Sequence, residues 1–564
     1  MYQPKIDQSK EMESMKSVRF ISYSTCLVAL LCGFQKVNAQ DSTRRKTIDI
    51  TSTFKPVLRD AVKLNFSAAL PKTDTIRPVL SYNIPVQEVK LAFQPGSLNP
   101  VALQADSLLA WKNSQYLKVG VGNNHLPYLQ GAVSLGNSNT GMLSAYGELF
   151  SAKGKLPFQK HNLADFQLRG SYKIAEDHEL SAKAAFRGED FFLYGYQPES
   201  LVFSKTDLRQ RFQTVEGVIG LRNTDPSAFG LIYSPSLKIV SFRHQNADSS
   251  AREENLVFNL PLQKTFGKSF GFNLGFTADM TRLKPEGKSV IKNNLYYLSP
   301  ALTLKTPNLF IQAGILPSWD NKVFNMLPNI MAEITTNDQQ FTFQAGWIGY
   351  YNKGSFQRFS TVNPWLAQPA QLLNHRVAEI YGGFKGTLAS HFTYSAKAAF
   401  SKQHNVNLFV NDQQDGKTFQ TVYSPSMDVL QLHGEIGYLK GENFNFKTGI
   451  TYSNFTKIEG QAAAWGLFPL ELNASLRVKV IDDLYLKADF FGWDGPAYRS
   501  KTGEDRKGDK AVDLNAGLEF KVLPKFDLWL QMNNIFNNKY ERWNQYQNFG
   551  FNVLGGVIYR FNQK

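Results

Sequence analysis

The side chains that most often carry out catalysis or hold metal ions are sparse in this 564-residue sequence. Both cysteines, Cys26 and Cys32, lie near the N-terminus, and Gly120 to Gly122 lacks the third glycine of a dinucleotide-binding fingerprint. The eight histidines show no pair at the spacing of a zinc site and are His125, His161, His178, His244, His375, His391, His404 and His433. The sequence therefore predicts no metal, no cofactor and no enzymatic activity.

One acidic segment, Asn411 to Gly416, offers several oxygen ligands that could suit calcium. It lacks the closing glutamate of a calcium-binding loop. The pair Asp415-Gly416 is instead typical of a tight turn in which the glycine has a positive φ. We therefore interpret the segment as a hairpin turn rather than a cation site.

Two predicted loops carry aromatic residues that could contact a ligand. The longest, Asn352 to Asn374, holds Trp365 in a tip that also contains prolines. Trp365 could face solvent and contact a ligand, or fold back and narrow the interior. A second loop carries Trp493, Tyr498 and Arg499, which combine stacking surface with a positive charge. These four residues are the candidate ligand contacts.

The composition indicates a large β-structure. The chain has 43 Phe, 24 Tyr, 8 Trp and 41 Gly, while charged residues make up 19%, below the usual quarter. The mean hydropathy of -0.30 argues against a multi-helix membrane protein. The net charge of +15 is spread singly along the chain, which favours contact with anionic solutes or membrane phosphates, such as those of lipopolysaccharide, over nucleic acid.

The first 39 residues have the features of an export signal. Lys16 and Arg19 precede an apolar to weakly polar run, Phe20 to Phe34, which is too short to span a bilayer. The small residues Val37 and Ala39 follow at the spacing of a signal-peptidase site. We predict that residues 1–39 are a cleaved signal peptide and that the mature chain contains no cysteine.

From Gln115 onwards, apolar and polar residues alternate in segments of roughly ten residues, the length of a strand that spans a bilayer. In Ala511 to Lys521, for example, Val512 and every second residue after it are apolar, while polar residues or glycine separate them. Short and longer connections alternate between the segments, as in outer-membrane barrels. The predicted fold class is all-β, a transmembrane antiparallel barrel of about 22 strands over residues 115–564.

The last strands carry a motif with a known counterpart. The stretch Trp529 to Tyr540, WLQMNNIFNNKY, is followed by Gly550 and by a strand that contains Tyr559 and Phe561. This region resembles the closing strands of TonB-dependent outer-membrane receptors. The resemblance implies a barrel of about 22 strands, and Tyr559 and Phe561 resemble the signal that the barrel-assembly machinery recognises.

Residues 40–114 depart from what that resemblance implies. Family members place a much longer folded plug before the barrel, whereas only this segment separates the predicted signal peptide from the first strand. We expect a truncated plug region that is periplasmic or threads through the lumen. Six of its residues resemble a TonB box, an extended segment that adds a strand to the energising partner: Thr47, Ile48, Asp49, Ile50, Thr51 and Ser52.

The sequence thus predicts a receptor or transporter in the outer membrane of a Gram-negative bacterium, which binds or passes a solute through a polar lumen. The expected partners are outer-membrane lipid and lipopolysaccharide, the barrel-assembly machinery and the solute; TonB and a surface lipoprotein are further candidates. The alternative is a structural or interaction scaffold in an outer-membrane or secretion complex. The loops contain no motif that identifies the solute.

Overall fold

A computed structural model describes residues 115–561, apart from 138–139, 339 and 390. The predicted signal peptide (1–39), the segment 40–114 with its TonB-box-like residues, and residues 562–564 lie outside the described residues. The expectations about those segments therefore stay predictions.

Twenty-two antiparallel strands form one sheet. In chain order they are β1 (Gln115–Gly122), β2 (His125–Asn137), β3 (Gly141–Lys153), β4 (Lys160–Ala175), β5 (His178–Phe192), β6 (Arg209–Asn223), β7 (Ser236–Gln245), β8 (Ser250–Phe266), β9 (Phe270–Pro285), β10 (Ile291–Lys305), β11 (Leu309–Asp320), β12 (Val323–Thr335), β13 (Phe341–Asn352), β14 (His375–Leu388), β15 (Phe392–Asn411), β16 (Phe419–Lys440), β17 (Phe444–Thr456), β18 (Leu470–Ile481), β19 (Leu484–Trp493), β20 (Ala511–Leu523), β21 (Phe526–Asn533) and β22 (Asn552–Phe561). A short strand, Leu231–Tyr233, precedes β7 and also pairs with β8.

The sheet closes on itself because β1 pairs with β22. Their register places Gln115 opposite Phe561 and Gly122 opposite Leu554. Closure leaves no unpaired edge, so all the strands can make their backbone hydrogen bonds to neighbours. The predicted barrel of 22 strands is therefore confirmed.

Alternate residues of each strand face opposite sides of the barrel wall. On β21, Phe526, Leu528 and Leu530 are exposed on the outside, whereas Asp527 and Gln531 point inwards and are buried. The same pattern of exposed apolar side chains recurs around the ring, as on β6 and β14. An apolar outer face and a polar inner face are what a barrel in lipid requires.

Strands β15 and β16 are longer than the sequence suggested. The sequence predicts a strand over residues 391–403 followed by a loop, yet β15 continues to Asn411 and pairs with the start of β16. The run Leu408 to Val410 is apolar at every position, without alternation, because both faces are covered there: Leu408 lies in one buried cluster and Phe409 in another. Two-sided burial removes the periodicity on which a strand prediction depends.

Two other predicted boundaries are wrong. The sequence predicts one strand over residues 227–245, but the structure interrupts it at Ser234 and Pro235, because proline lacks a backbone N–H for the ladder. The last strand begins at Asn552 rather than near residue 547. The alternation of the last segment predicts Phe549 on the outer face of that strand, but the residue precedes the strand and packs against an inner cluster.

The connections differ in length at the two ends of the barrel. The turn end, where β1 begins and β22 ends, has connections of a few residues, with the exception of 224–235. The opposite end, called the loop end here, carries the long connections 193–208, 353–374, 457–469, 494–510 and 534–551. These contain the helices α1 (Lys205–Leu208) and α2 (Phe356–Val362). No helix in the described part of the chain is long and apolar enough to cross a membrane.

An aromatic cluster lines the inner face of the barrel where β1 pairs with β22, a junction that we call the closing seam. The indole of Trp529 lies over the seam, where its Nε1 donates to the Val119 carbonyl at 3.1 Å. Its ring lies close against Gly120, so that a Cβ at this position would overlap the ring. Lys118 lies over the same ring at 4.1 Å. A glycine at position 120 is therefore required for the indole to lie flat across the first and last strands.

We expect Gly120→Val to destabilise the barrel by about 1–3 kcal/mol, because the new side chain must displace the Trp529 ring from a packed site. Gly217→Val is the matched control, since a Cβ at Gly217 on β6 meets no atom within 4 Å. The measurement is the thermal transition from folded to unfolded electrophoretic mobility in detergent. Equal midpoints for the two variants would contradict the packing role assigned to Gly120.

Candidate functional site

The long connections fold across the loop end instead of extending away from it. The Trp365 Nε1 of connection 353–374 donates to the Phe192 carbonyl at 3.2 Å. Gln545, from connection 534–551, donates through Nε2 to the Gly195 carbonyl at 2.8 Å. We call connections 353–374 and 534–551, with the loops and strand ends that they contact, the loop cap.

Buried polar contacts fix both ends of connection 353–374. The Asn374 side chain exchanges hydrogen bonds with that of Asn293 on β10, both at 2.8 Å, and donates to Asp320 at 2.7 Å. At the other end, the Lys353 ammonium donates to the backbone carbonyls of Asp279 and Asn293. Burial lowers the pKa of Lys353, and the negative charge of Asp279 opposes this shift. These contacts direct the connection across the opening.

Helix α2 contacts two different strands of the barrel wall. Phe356 contacts Phe242 on β7, with ring centroids 5.5 Å apart, and Phe359 contacts Phe409 on β15 at 6.1 Å. Strands β7 and β15 are eight positions apart in the ring of twenty-two. Phe356 and Phe359 are both buried. The helix therefore packs between two parts of the barrel wall at the loop end.

The start of α2 is held by a carboxylate from the barrel wall. Glu253 on β8 accepts hydrogen bonds from the backbone N–H groups of Phe356 at 2.7 Å and Gln357 at 3.2 Å. The Ser355 side chain accepts a third, from Arg358 N–H at 3.2 Å. These bonds satisfy donors that a helix leaves unpaired at its N-terminus.

A continuous series of ring contacts crosses the cap from β19 to β4. Neighbouring centroids are 3.9 to 6.3 Å apart, and one guanidinium lies between two of the rings. In order, its members are Phe491, Trp493, Phe468, Arg542, Trp543, Phe419, Tyr546, Trp365, Phe191 and His161. We call this series the aromatic chain. It joins loops that are distant in sequence into one packed unit.

Trp365 and Trp493, two of the four candidate ligand contacts, belong to this chain. The Trp365 ring stacks on Tyr546 with centroids 3.9 Å apart and an interplanar angle of 22°. It thus has the folded-back arrangement, one of the two that the sequence allowed. Trp493 stacks on Phe491 and meets Tyr540 edge-on at 5.0 Å. Ligand contact by either tryptophan stays a prediction.

The other two candidates, Tyr498 and Arg499, lie in a small hairpin formed by Ala497–Arg499 and Asp505–Lys507. Arg499 Nε pairs with Asp505 at 2.9 Å, and its guanidinium lies 4.8 Å from the Trp465 ring centre. Tyr498 borders a cavity between this hairpin and residues 541–544. The structure thus places Tyr498 at the cavity, whereas Trp365 does not border it.

The asparagine-rich motif at residues 533–538 holds the base of connection 534–551. Asn534, with φ of 50°, donates from its side chain to the carbonyls of Asn538 and Phe549. Asn538 donates to the Val512 carbonyl at 2.8 Å. Tyr540 is buried and its hydroxyl donates to Asp513 on β20 at 3.3 Å. The motif that carried the sequence resemblance is therefore structural in this chain.

Charged residues on the inner wall pair across neighbouring strands. The Lys487 ammonium and the Glu519 carboxylate are 2.8 Å apart. Glu216 lies between Lys183 and Lys238 at 2.5 and 2.7 Å. Further pairs are Arg560 with Asp527, Lys397 with Glu379, and Lys385 with Glu333. Because these charges neutralise one another locally, the wall is polar without a large field of one sign.

The acidic segment at 411–416 forms a tight connection. Asp412 accepts hydrogen bonds from four backbone N–H groups and from the Thr418 hydroxyl. Gly416 has a φ of +73°, as expected for the predicted turn. Within the described residues, no group of three or more histidine, cysteine or acidic side chains is placed to hold a metal ion.

Tyr559 and Phe561 lie at the turn end of β22. Their rings meet edge-on with centroids 4.5 Å apart, and Tyr559 also contacts Phe526 on β21 at 4.8 Å. The position at the end of the last strand agrees with the place expected for a barrel-assembly signal. Recognition by the assembly machinery itself stays a prediction.

Arg542 is the residue of this region that the sequence did not single out. It is 9% exposed, and its guanidinium lies 4.0 Å from the Phe468 ring centre and 4.2 Å from that of Trp543. The run Glu541-Arg542-Trp543 in a predicted loop was the available signal, because arginine beside tryptophan is a common stacking pair. Its burial depends on Phe468, which is remote in sequence.

The fold is that of known iron and siderophore receptors. The FrpB iron transporter of Neisseria meningitidis (F3-3 variant) is similar with a TM-score of 0.64 and 11% identity over 80% of this chain and 82% of its own. The siderophore receptor PirA of Acinetobacter baumannii gives 0.61 and 12% over 80% of each chain. The ferripyoverdine receptor of Pseudomonas aeruginosa gives 0.58 and 12% over 80% of this chain and 72% of its own. The predicted resemblance to TonB-dependent receptors is confirmed for the fold.

No family model matches the sequence, and no curated protein matches it either. At 11–12% identity, the structural similarity defines the architecture of the barrel and leaves its solute open.

We expect Glu253→Ala to loosen helix α2, because two buried backbone N–H groups lose their side-chain acceptor. Such a loss costs about 1–3 kcal/mol, so amide hydrogen exchange at Phe356 to Val362 should accelerate about tenfold or more. Glu253→Gln is the matched control and should show a smaller effect, because it keeps one acceptor oxygen. Unchanged exchange in Glu253→Ala would show that other contacts hold the helix.

Proposed function

We propose that this chain is an outer-membrane receptor or transporter that admits a solute through a polar lumen, with the loop cap as its gate. The observation that carries the proposal is that helix α2 and the aromatic chain cross the loop end of a wide barrel. A barrel of this strand number without a cover would leave an aqueous channel. Passage therefore requires movement of the cap.

The polar inner wall supports transport over a purely structural role. Its charges pair locally, so they hold a wet surface without binding one type of ion strongly. The structural neighbours are an iron transporter and siderophore receptors, and they are not enzymes. For this chain only the mode of action, binding at the loop end followed by gated passage, is proposed.

TonB is the proposed source of energy for gating. The support is the TonB-box-like segment, Thr47 to Ser52, together with the barrel fold shared with receptors of this type. An extended segment of this kind binds by adding a strand to its partner. A surface lipoprotein over the loop end and lipopolysaccharide around the outer face are the further partners that we propose.

Planar-bilayer conductance of the purified full chain tests the gate. We expect the unmodified protein to be nearly silent, and replacement of residues 355–373 by a short Gly-Ser linker to raise the mean conductance on the order of tenfold or more, because a barrel of this width is then uncovered. Val202→Ala, at a position 94% exposed in connection 193–208, is the control and should behave as the unmodified protein.

Two outcomes of this experiment would count against the gate. A large steady conductance of the unmodified protein would indicate an open pore. Silence of the linker variant both with and without residues 40–114, with the folded electrophoretic mobility retained, would favour the scaffold role in an outer-membrane or secretion complex.

Deletion of Thr47 to Ser52 should abolish binding of the purified full chain to the C-terminal domain of TonB, because the added strand supplies the contact. The measurement is isothermal titration with the deletion variant and the unmodified chain in parallel. A deletion of equal length elsewhere in residues 53–114 is the control. Equal affinity of the box-deletion variant would remove TonB from the proposed mechanism.

A further inference from the structure

A cavity in the loop cap has the features of a binding site. It has a volume of about 60 Å³, is partly open to solvent, and lies between the hairpin of residues 497–507 and residues 541–544. Its apolar floor, which we call the aromatic floor, consists of Phe409, Phe419 and Trp543. Charged residues of both signs also border it.

Arg542 is the buried cation of this cavity. Nη2 donates to the Gly466 carbonyl at 2.8 Å, whereas Nε and Nη1 are enclosed and have no hydrogen-bond partner. Glu471 exerts an attractive charge effect on Arg542, but no ion pair or hydrogen bond joins the two side chains among the described residues. A buried guanidinium with unused donors is costly unless an anion binds it.

Two carboxylates border the same cavity. The Glu541 Oε2 accepts a hydrogen bond from Gln545 N–H at 2.6 Å, and Asp509 is exposed. Burial raises the pKa of the Glu541 carboxyl, and the negative charge of Asp509 acts in the same direction. A positive group placed between these carboxylates would stabilise the charged form of both.

We propose that this cavity binds a zwitterion, namely a free α-amino acid or a short peptide. The ligand carboxylate pairs with Arg542, the ammonium group lies at Glu541 and Asp509, and an apolar side chain packs on the aromatic floor. A charged hydrogen bond of each sign fixes the orientation of such a ligand. The free donors of Arg542 are enclosed and the cavity is smaller than this ligand, so the hairpin of residues 497–507 must move outwards as the ligand enters. The inference rests on the proposed function, because the site lies in the proposed gate.

Isothermal titration of the purified full chain in detergent tests the site. The probes are L-phenylalanine and glycyl-L-phenylalanine, with 3-phenylpropionate, which lacks the ammonium group, and 2-phenylethylamine, which lacks the carboxylate. We expect both zwitterions to bind and both singly charged analogues to bind at least about tenfold more weakly. Equal binding of 3-phenylpropionate would contradict a zwitterionic ligand and indicate a simple anion site. Absence of heat with all four probes would contradict the proposed binding site itself.

Variants separate the two charged ends. Arg542→Gln should weaken phenylalanine binding at least about tenfold, and Asp509→Asn, at an exposed position that does not affect folding, should weaken it severalfold. Arg506→Gln is the matched control, because Arg506 lies in the same hairpin, pairs with Glu504 and does not border the cavity. Unchanged affinity in Asp509→Asn would overturn the ammonium contact. Conductance is measured separately, so loss of this site leaves the test of the gate intact.

Discussion

The need to pair every backbone polar group inside lipid is the constraint on which this structure depends. Hydrocarbon offers no water to an unpaired N–H or C=O group, so a spanning sheet must close. Pairing of β1 with β22 achieves this, and the rest follows from it. One face of each strand meets lipid and is apolar, the other meets the lumen and is polar, and irregular backbone is restricted to the two ends.

That constraint also determines how much could be predicted from sequence. Apolar and polar residues alternate with a period of two because the barrel wall has one apolar face and one polar face. The 22 strands and the fold class could therefore be predicted. The prediction failed where the two faces are alike, as at Leu408 and Phe409, which are buried on opposite sides. It also failed where a local feature interrupts the ladder, as at Pro235.

The candidate site was less predictable because it is assembled from distant parts of the chain. Residue type identified Trp365 and Trp493 as notable, but not the partners on which they stack. Trp365 meets Tyr546 and the Phe192 carbonyl, all far apart in sequence. In the sequence, Arg542 does not differ from other loop arginines. Only the structure shows that the Phe468 ring covers its guanidinium. Pairings of this kind leave no periodic trace in a single sequence.

The indole that lies across the seam has a consequence for biogenesis. Its Nε1 binds the Val119 carbonyl on β1, although Trp529 itself belongs to β21, next to the last strand. Because β22 lies between β21 and β1, this hydrogen bond can form only after the first and last strands have paired. Formation of this hydrogen bond thus marks the closure of the sheet into a barrel.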